Sequence, residues 1–194
     1  MPISYLPLSW DTYLTHIRTL ASRIFDEKKK IDVIVAISRG GLTLGHVLSD
    51  HLRIPIWTIA IQSYTDIQTR GEIKITGKLQ TSIRNKRILL VDDVADSGHT
   101  FVRAINYLKR SSPQSITTLG VFYKPHSVFK PDFFAQTTSK WILFPYESTE
   151  MLLLLVKKYG TNGKWSPQLQ TKLKELCFSQ EQIDFVKRYY LKNS

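Results

Sequence analysis

Apolar positions along this chain follow two rhythms, and their alternation outlines an architecture. Ser9 is placed to cap a first helix from Trp10 to about Lys28, in which Leu14, Ile17, Leu20, Ile24 and Phe25 form one apolar stripe. The run KKK at 28–30 closes that helix with cations where its dipole is negative. IDVIVAI (31–37) is then β-branched and almost wholly apolar, as a strand buried on both faces must be. A second helix is expected over Leu42–Leu52 and a second buried strand over IPIWTIAI (54–61). RILLV (87–91) predicts a third strand, followed by a helix over Thr100–Lys109. SITTLGVFY (115–123) predicts a fourth strand and KWILF (140–144) a fifth. Strands alternating with helices imply a mainly parallel sheet flanked by helices, with right-handed crossovers.

Two stretches depart from this rhythm. Residues 62–86 are polar, contain Gly71 and Gly77, and alternate weakly around EIKIT, which fits a long mobile loop or a β-excursion. Residues 148–194 form a separate helical texture. STEMLLLLVKKYG carries a capping serine, Ser148, and ends at Gly160. SPQLQTKLKELCF has Ser166 as cap, Pro167 at the first helical position, and Leu169, Leu173, Leu176 and Cys177 on one face. SQEQIDFVKRYY opens with a Ser179–Gln182 capping box and is expected to bury Ile183, Val186 and Tyr190. The expected division is therefore residues 1–147 as the main domain and 148–194 as a helical extension.

Composition narrows the setting more than the chemistry. The longest evident apolar run, Met151–Val156, is far too short to span a bilayer, so no membrane partner is expected. The opening MPISYLPLSWD has neither a basic segment nor a long apolar one, so no secretory signal is expected. Cys177 is the only cysteine, which excludes an internal disulfide and a cysteine-based zinc site. A reducing, cytoplasmic location follows as the expectation. The formal net charge of +11 favours anionic partners without choosing among polyphosphates, nucleotides and nucleic acid.

The chemistry concentrates where strands end, which is where parallel sheets bind ligands. RILLVDDVADSGHT (87–100) runs from a buried strand into three aspartates and a small polar turn. A glycine turn at a helix start aims backbone N–H groups at an anion, and Ser97 and Thr100 add hydroxyl donors. No lysine follows Gly98, so this is not a Walker loop. The adjacent Asp92 and Asp93 offer acceptors to a vicinal diol, and Asp96 is set to meet whatever that sugar carries. An acidic loop that merely caps a helix, or an acidic pair that binds metal, is the lesser alternative for these residues.

Four motifs in order lift that ambiguity through a family resemblance. LLVDDVADSGHT resembles the phosphoribosyl pyrophosphate (PRPP) signature of type I phosphoribosyltransferases. VAISRGGL (35–42) resembles the pyrophosphate loop of their bacterial and archaeal xanthine-guanine-hypoxanthine branch, and Ser63-Tyr64 the start of its catalytic loop. VFYKP (121–125) with KPDFFAQTTSKWILFPYE (130–147) resembles its purine-binding hood. The resemblance implies the type I fold with a small hood, and transfer of 5-phosphoribosyl from PRPP to N9 of a 6-oxopurine, with Mg²⁺ as cofactor. It assigns PRPP binding to Asp92, Asp93, Ser97, Gly98, His99, Thr100, Ser38, Arg39, Gly40, Ser63 and Tyr64. It makes Asp96 the acid or base at purine N7, and gives the base to Lys124, Trp141, Ile142 and Glu147. Asp92, Asp93 and Glu147 become the metal contacts, and the Ser38–Arg39 peptide a candidate cis bond.

Lys124 carries the base preference by its own chemistry. An ammonium has three donors and no acceptor, so it complements a purine O6 and leaves the 6-amino group of adenine facing another donor. Departures from the family pattern are His99, where glycine or lysine is common, Glu147 in place of aspartate, Tyr146 in place of tryptophan, and the helical extension itself. Two other functions stay open: adenine transfer in a remodelled pocket, and a PRPP- or purine-sensing regulator that binds nucleic acid. The expected partners are PRPP and a purine base, with assembly as a homo-oligomer, dimer or tetramer, and without nucleic acid.

Overall fold

The aspartate-bearing strand lies in the middle of the main sheet of the computed structural model, which describes residues 3–63, 73–161 and 165–191. The chain divides into two units, residues 14–139 and residues 1–13 together with 140–194. The first unit holds a six-stranded sheet in the order β4-β3-β2-β5-β6-β7. Its strands are β2 (Val33–Ser38), β3 (Ile56–Ser63), β4 (Ile73–Gly77), β5 (Arg87–Ala95), β6 (Ser115–Tyr123) and β7 (Phe133–Thr137). All neighbours pair in parallel except β4, which runs antiparallel to β3. This is the mainly parallel sheet with flanking helices that the alternation predicts. The helices of this unit are α2 (Gly41–Leu52), α3 (His99–Lys109) and most of α1 (Trp10–Asp26).

Burial follows from the strand sequences. Val33, Ile34, Val35, Ala36 and Ile37 are all buried, as are Ile88, Leu89, Leu90 and Val91. One face of the sheet packs Val35, Ile37, Ile59, Ile88 and Leu90 against Phe101, Ala104 and Leu108 of α3. On α1 the buried stripe is Tyr13, Ile17, Leu20, Ala21 and Ile24, whereas Phe25 is exposed. Phe25 directly follows Ile24, and 100° of helical turn carries it off the buried face.

Several expectations need correction. The fifth parallel strand of the main sheet is β7, FFAQT, and not KWILF. Its start is pinned by the Asp132 carboxylate, which accepts from the Thr118 N–H (2.7 Å) and hydroxyl (2.8 Å). The segment Trp141–Leu143 is β8 of a separate two-stranded parallel sheet with β1 (Tyr5–Pro7), in register Tyr5↔Trp141. The stretch around EIKIT is a β-excursion, β4, while residues 64–72 lie outside the described part. β5 continues past Val91 to Ala95, because the ladder with β6 runs on through Asp92↔Gly120 and Ala95↔Tyr123. The aspartate pair thus belongs to the strand itself.

The second unit contains β1, β8 and the helices α4 (Ser148–Tyr159), α5 (Pro167–Glu175) and α6 (Gln180–Tyr190). Leu152, Leu155, Leu169, Leu173, Ile183 and Val186 share one core with Leu143 of β8 and with Tyr5 of β1 packed against it. Ser166 and Ser179 cap as expected, the latter in a complete capping box with Gln182. Ser148 does not cap. A 3-10 turn, Pro145–Glu147, leads directly into α4, so the serine is already helical. Cys177 sits past the end of α5 in a left-handed conformation (φ 62°) and is exposed, and Tyr190 is exposed rather than buried. No described helix is long and apolar enough to cross a membrane.

Two stability predictions follow. Leu173 is fully buried in the shared core, so Leu173→Ala should cost about 2–5 kcal/mol, read from the urea midpoint. Asp32, just before β2, accepts from the Arg87 backbone N–H (2.7 Å) and from its Nε (3.0 Å). These bonds hold its carboxyl down at about 2, against 3.8. A depressed carboxylate stabilises the fold above its unfolded pKa and stops doing so as pH falls through its folded one. Asp32→Asn should therefore be less stable than wild type at pH 6, with the gap closing between pH 4 and 2 in denaturation curves.

Candidate active site

Four adjacent parallel strands, β3, β2, β5 and β6, end side by side, and sequence-predicted residues gather along that edge. Ser63 is the last residue of β3, and Tyr64 lies outside the described residues. Ser38 ends β2, and Arg39 and Gly40 form the turn into α2. Asp92 and Asp93 lie near the end of β5, and Lys124 follows β6. The Ser38–Arg39 peptide is cis.

A close approach joins the SRGG turn to the aspartate strand. A Cβ on Gly40 would fall 2.4 Å from Oδ2 of Asp93, and one on Gly41 would fall 2.5 Å from the Val91 carbonyl. Only bare backbone fits between the turn and the aspartate strand. That approach lets the Gly41 N–H reach the Asp92 carboxylate, which also accepts from the Asp93 N–H (3.1 Å). Both aspartates are buried, 8% and 7% exposed. Burial pushes the Asp92 carboxyl well above the usual carboxylate range, the neighbouring Asp93 charge adds to that, and the two N–H donors oppose it.

The turn that follows is shaped for an anion. Gly98 adopts φ 82°, and α3 begins at His99 with no side-chain cap on its first N–H groups. Such a helix start favours negative charge. Gly98 is required twice over. Its φ is in the left-handed region, and a Cβ there would meet Ser127 Oγ at 2.5 Å and the Phe129 N at 2.6 Å. Ser97 and His99 are exposed and Thr100 is half-buried.

Those clashes reveal a second loop stitched to the first. The Lys124 N–H donates to the Ala95 carbonyl (3.1 Å), and the Val128 N–H donates to the Ser97 carbonyl (3.0 Å). Lys124 is buried as a result, 8% exposed. Between these anchors, His126 Nε2 comes within 3.3 Å of Asp96 Oδ1. The sequence reading missed His126. Its one available signal was an imidazole two residues beyond a strand-end lysine.

The other predicted base residues belong to the second unit. Trp141 of β8 is half-exposed and lines a groove of about 400 Å³ with Tyr5, Met151 and Leu154. Ile142 is buried, and Glu147 is the last residue of the 3-10 turn. Among the described residues no three His, Cys, Asp or Glu side chains cluster to hold a metal. The Asp92–Asp93 pair nonetheless fits Mg²⁺, which binds through one or two carboxylates plus substrate oxygens and water rather than in an all-protein cage.

The family model for the phosphoribosyl transferase domain matches residues 9–149. A purine phosphoribosyltransferase from Pyrococcus horikoshii Ot3 is 31% identical, with 73% of this chain and 93% of that one covered and a TM-score of 0.67. The Helicobacter pylori xanthine-guanine-hypoxanthine phosphoribosyltransferase is 25% identical over 74% and 94% of the two chains, with a TM-score of 0.63. A hypoxanthine phosphoribosyltransferase from Staphylococcus aureus shares the fold at 18% identity, covering 64% and 72%, with a TM-score of 0.57. With its strand-end aspartates, glycine turn and parallel sheet, this chain belongs to the phosphoribosyltransferase family of transferases.

Proposed function

We propose that the chain transfers 5-phosphoribosyl from PRPP to N9 of a 6-oxopurine, with Mg²⁺, releasing the nucleoside monophosphate and pyrophosphate. The observation that carries this reading is the strand-end row joining the SRGG turn, the buried aspartates, the Gly98 turn and Lys124. The similarity to purine and xanthine-guanine-hypoxanthine transferases supports the choice of base.

In this reading the C1′–oxygen bond to pyrophosphate breaks as the bond from C1′ to N9 forms. Asp92 and Asp93 take the ribose hydroxyls, and the Ser97–Thr100 turn holds the 5′-phosphate. Arg39 and the backbone around Gly40 meet the departing pyrophosphate, whose growing charge they stabilise. Mg²⁺, when bound through Asp92 and Asp93, supplies further neutralisation of that charge. The base loses its proton at N7 to the Asp96 carboxylate, which is 65% exposed and so within reach of a ligand. The family resemblance proposes Trp141, Ile142 and Glu147 for the base, and Glu147 also for the metal. Lys124 donates to O6.

Two measurements test the assignment. Purified protein with Mg²⁺ and PRPP should convert hypoxanthine, guanine or xanthine and discriminate against adenine. Lys124→Met should reduce kcat/KM for the preferred 6-oxopurine by about 10- to 100-fold, the scale of a lost charge-assisted hydrogen bond. Turnover of adenine alone, or indifference to Lys124→Met, contradicts the base assignment. Gly40→Ala should weaken PRPP binding by at least about ten-fold, because its methyl group collides with the Asp93 carboxylate, which must swing away from its buried position or push the turn back. Calorimetric titration with PRPP and Mg²⁺ reads that loss directly.

A further inference from the structure

The pairing of His126 with Asp96 follows from how two loops are registered. Ala95 and Ser97 flank Asp96, and each gives its carbonyl to the opposite loop, to the N–H of Lys124 and of Val128. The Ser127 N–H closes a turn on the Lys124 carbonyl (2.9 Å), and Ser127 Oγ donates to the Phe129 carbonyl (2.8 Å). Gly98 packs beneath, with no room for a side chain against Ser127 and Phe129. Backbone bonds on both sides therefore carry His126 to Asp96, with Nε2 3.3 Å from Oδ1. A pair this exposed, 63% and 65%, adds little to folding stability. The loop registration brings it about all the same.

We infer that His126 is a positioning residue for Asp96, its ring N–H holding Oδ1 so that Oδ2 is presented to the purine N7. A carboxylate on an exposed turn otherwise samples several rotamers, only some of which face the base. Fixing one oxygen restricts that search and leaves the second free to take the proton. The inference rests on the transferase reading above, because it needs a base for Asp96 to serve. It assigns His126 no contact with substrate.

The test is steady-state kinetics of the full chain with PRPP, Mg²⁺ and its preferred base. His126→Ala should lower kcat by about ten-fold while the KM for PRPP stays within about two-fold, as expected when a reacting group is left loosely held. His126→Gln places an amide N–H near the same point and should restore kcat to within about two-fold of wild type. In an Asp96→Asn background, His126→Ala should cause no further loss, since coupled residues are not additive. An unchanged kcat in His126→Ala overturns the inference. So does a rise in KM for PRPP alone, an additive loss in the Asp96→Asn background, or a Gln variant no better than Ala. Should His126→Ala fail to fold, His126→Phe, which keeps the ring volume without an N–H, replaces it in both comparisons. Wild-type protein inactive with every base removes the transferase reading and this inference with it. Active wild type with an indifferent His126→Ala removes the inference alone.

Discussion

Asp92 and Asp93 are held with almost no solvent at the end of a central parallel strand, and glycine backbone is pressed against them from the next turn. Most of the site's geometry follows from that burial. Two adjacent carboxylates in a poorly solvated position repel each other and lack water, so each available N–H matters. The Gly41 and Asp93 amides provide such donors to Asp92, and Gly41 can do so only because Gly40 and Gly41 lack side chains. The SRGG turn is therefore fixed in place by the acids as much as the acids are by it.

The same strand sets the second half of the edge. Because β5 stays paired with β6 as far as Ala95↔Tyr123, the two chains leave the sheet together. Their loops can then exchange backbone bonds immediately, at Lys124–Ala95 and Val128–Ser97. A strand that ended at Val91 would have separated these loops by several residues, and neither the burial of Lys124 nor the approach of His126 to Asp96 would follow.

Much of this edge was legible in the sequence, because glycine, serine and aspartate at strand ends leave few conformational choices. VIVAIS followed by RGG, and ILLV followed by DDVADSG, state both the buried strand and the turn. What was not legible arises from tertiary competition. Aspartate is a poor strand former, so β5 reads as ending at Val91. The parallel ladder with β6 overrides that local preference. FFAQT is short and only weakly patterned, and its place as an edge strand depends on Asp132 bonding back to Thr118, a contact no local pattern announces. KWILF has the hydrophobicity of a core strand, yet its partner is the three-residue β1 near the start of the chain. The His126–Asp96 approach likewise depends on loop registration across thirty residues of sequence, beyond any periodicity.

The buried acids also tie the free protein's stability to the proposed chemistry. A carboxyl whose pKa is raised in the folded state favours its neutral form, so its burden on the fold grows as pH rises through and beyond the ordinary carboxylate range. At neutral pH the unliganded site thus carries an acid pair whose full ionisation is opposed by its surroundings. A ligand that brings hydroxyl donors and a divalent cation to the same point offsets that opposition, since both favour the ionised pair. In the proposed reaction PRPP would bring the hydroxyls of its vicinal diol as well as a bound cation, whereas the departing pyrophosphate would bring the cation alone. The buried pair would then favour the substrate over its leaving group.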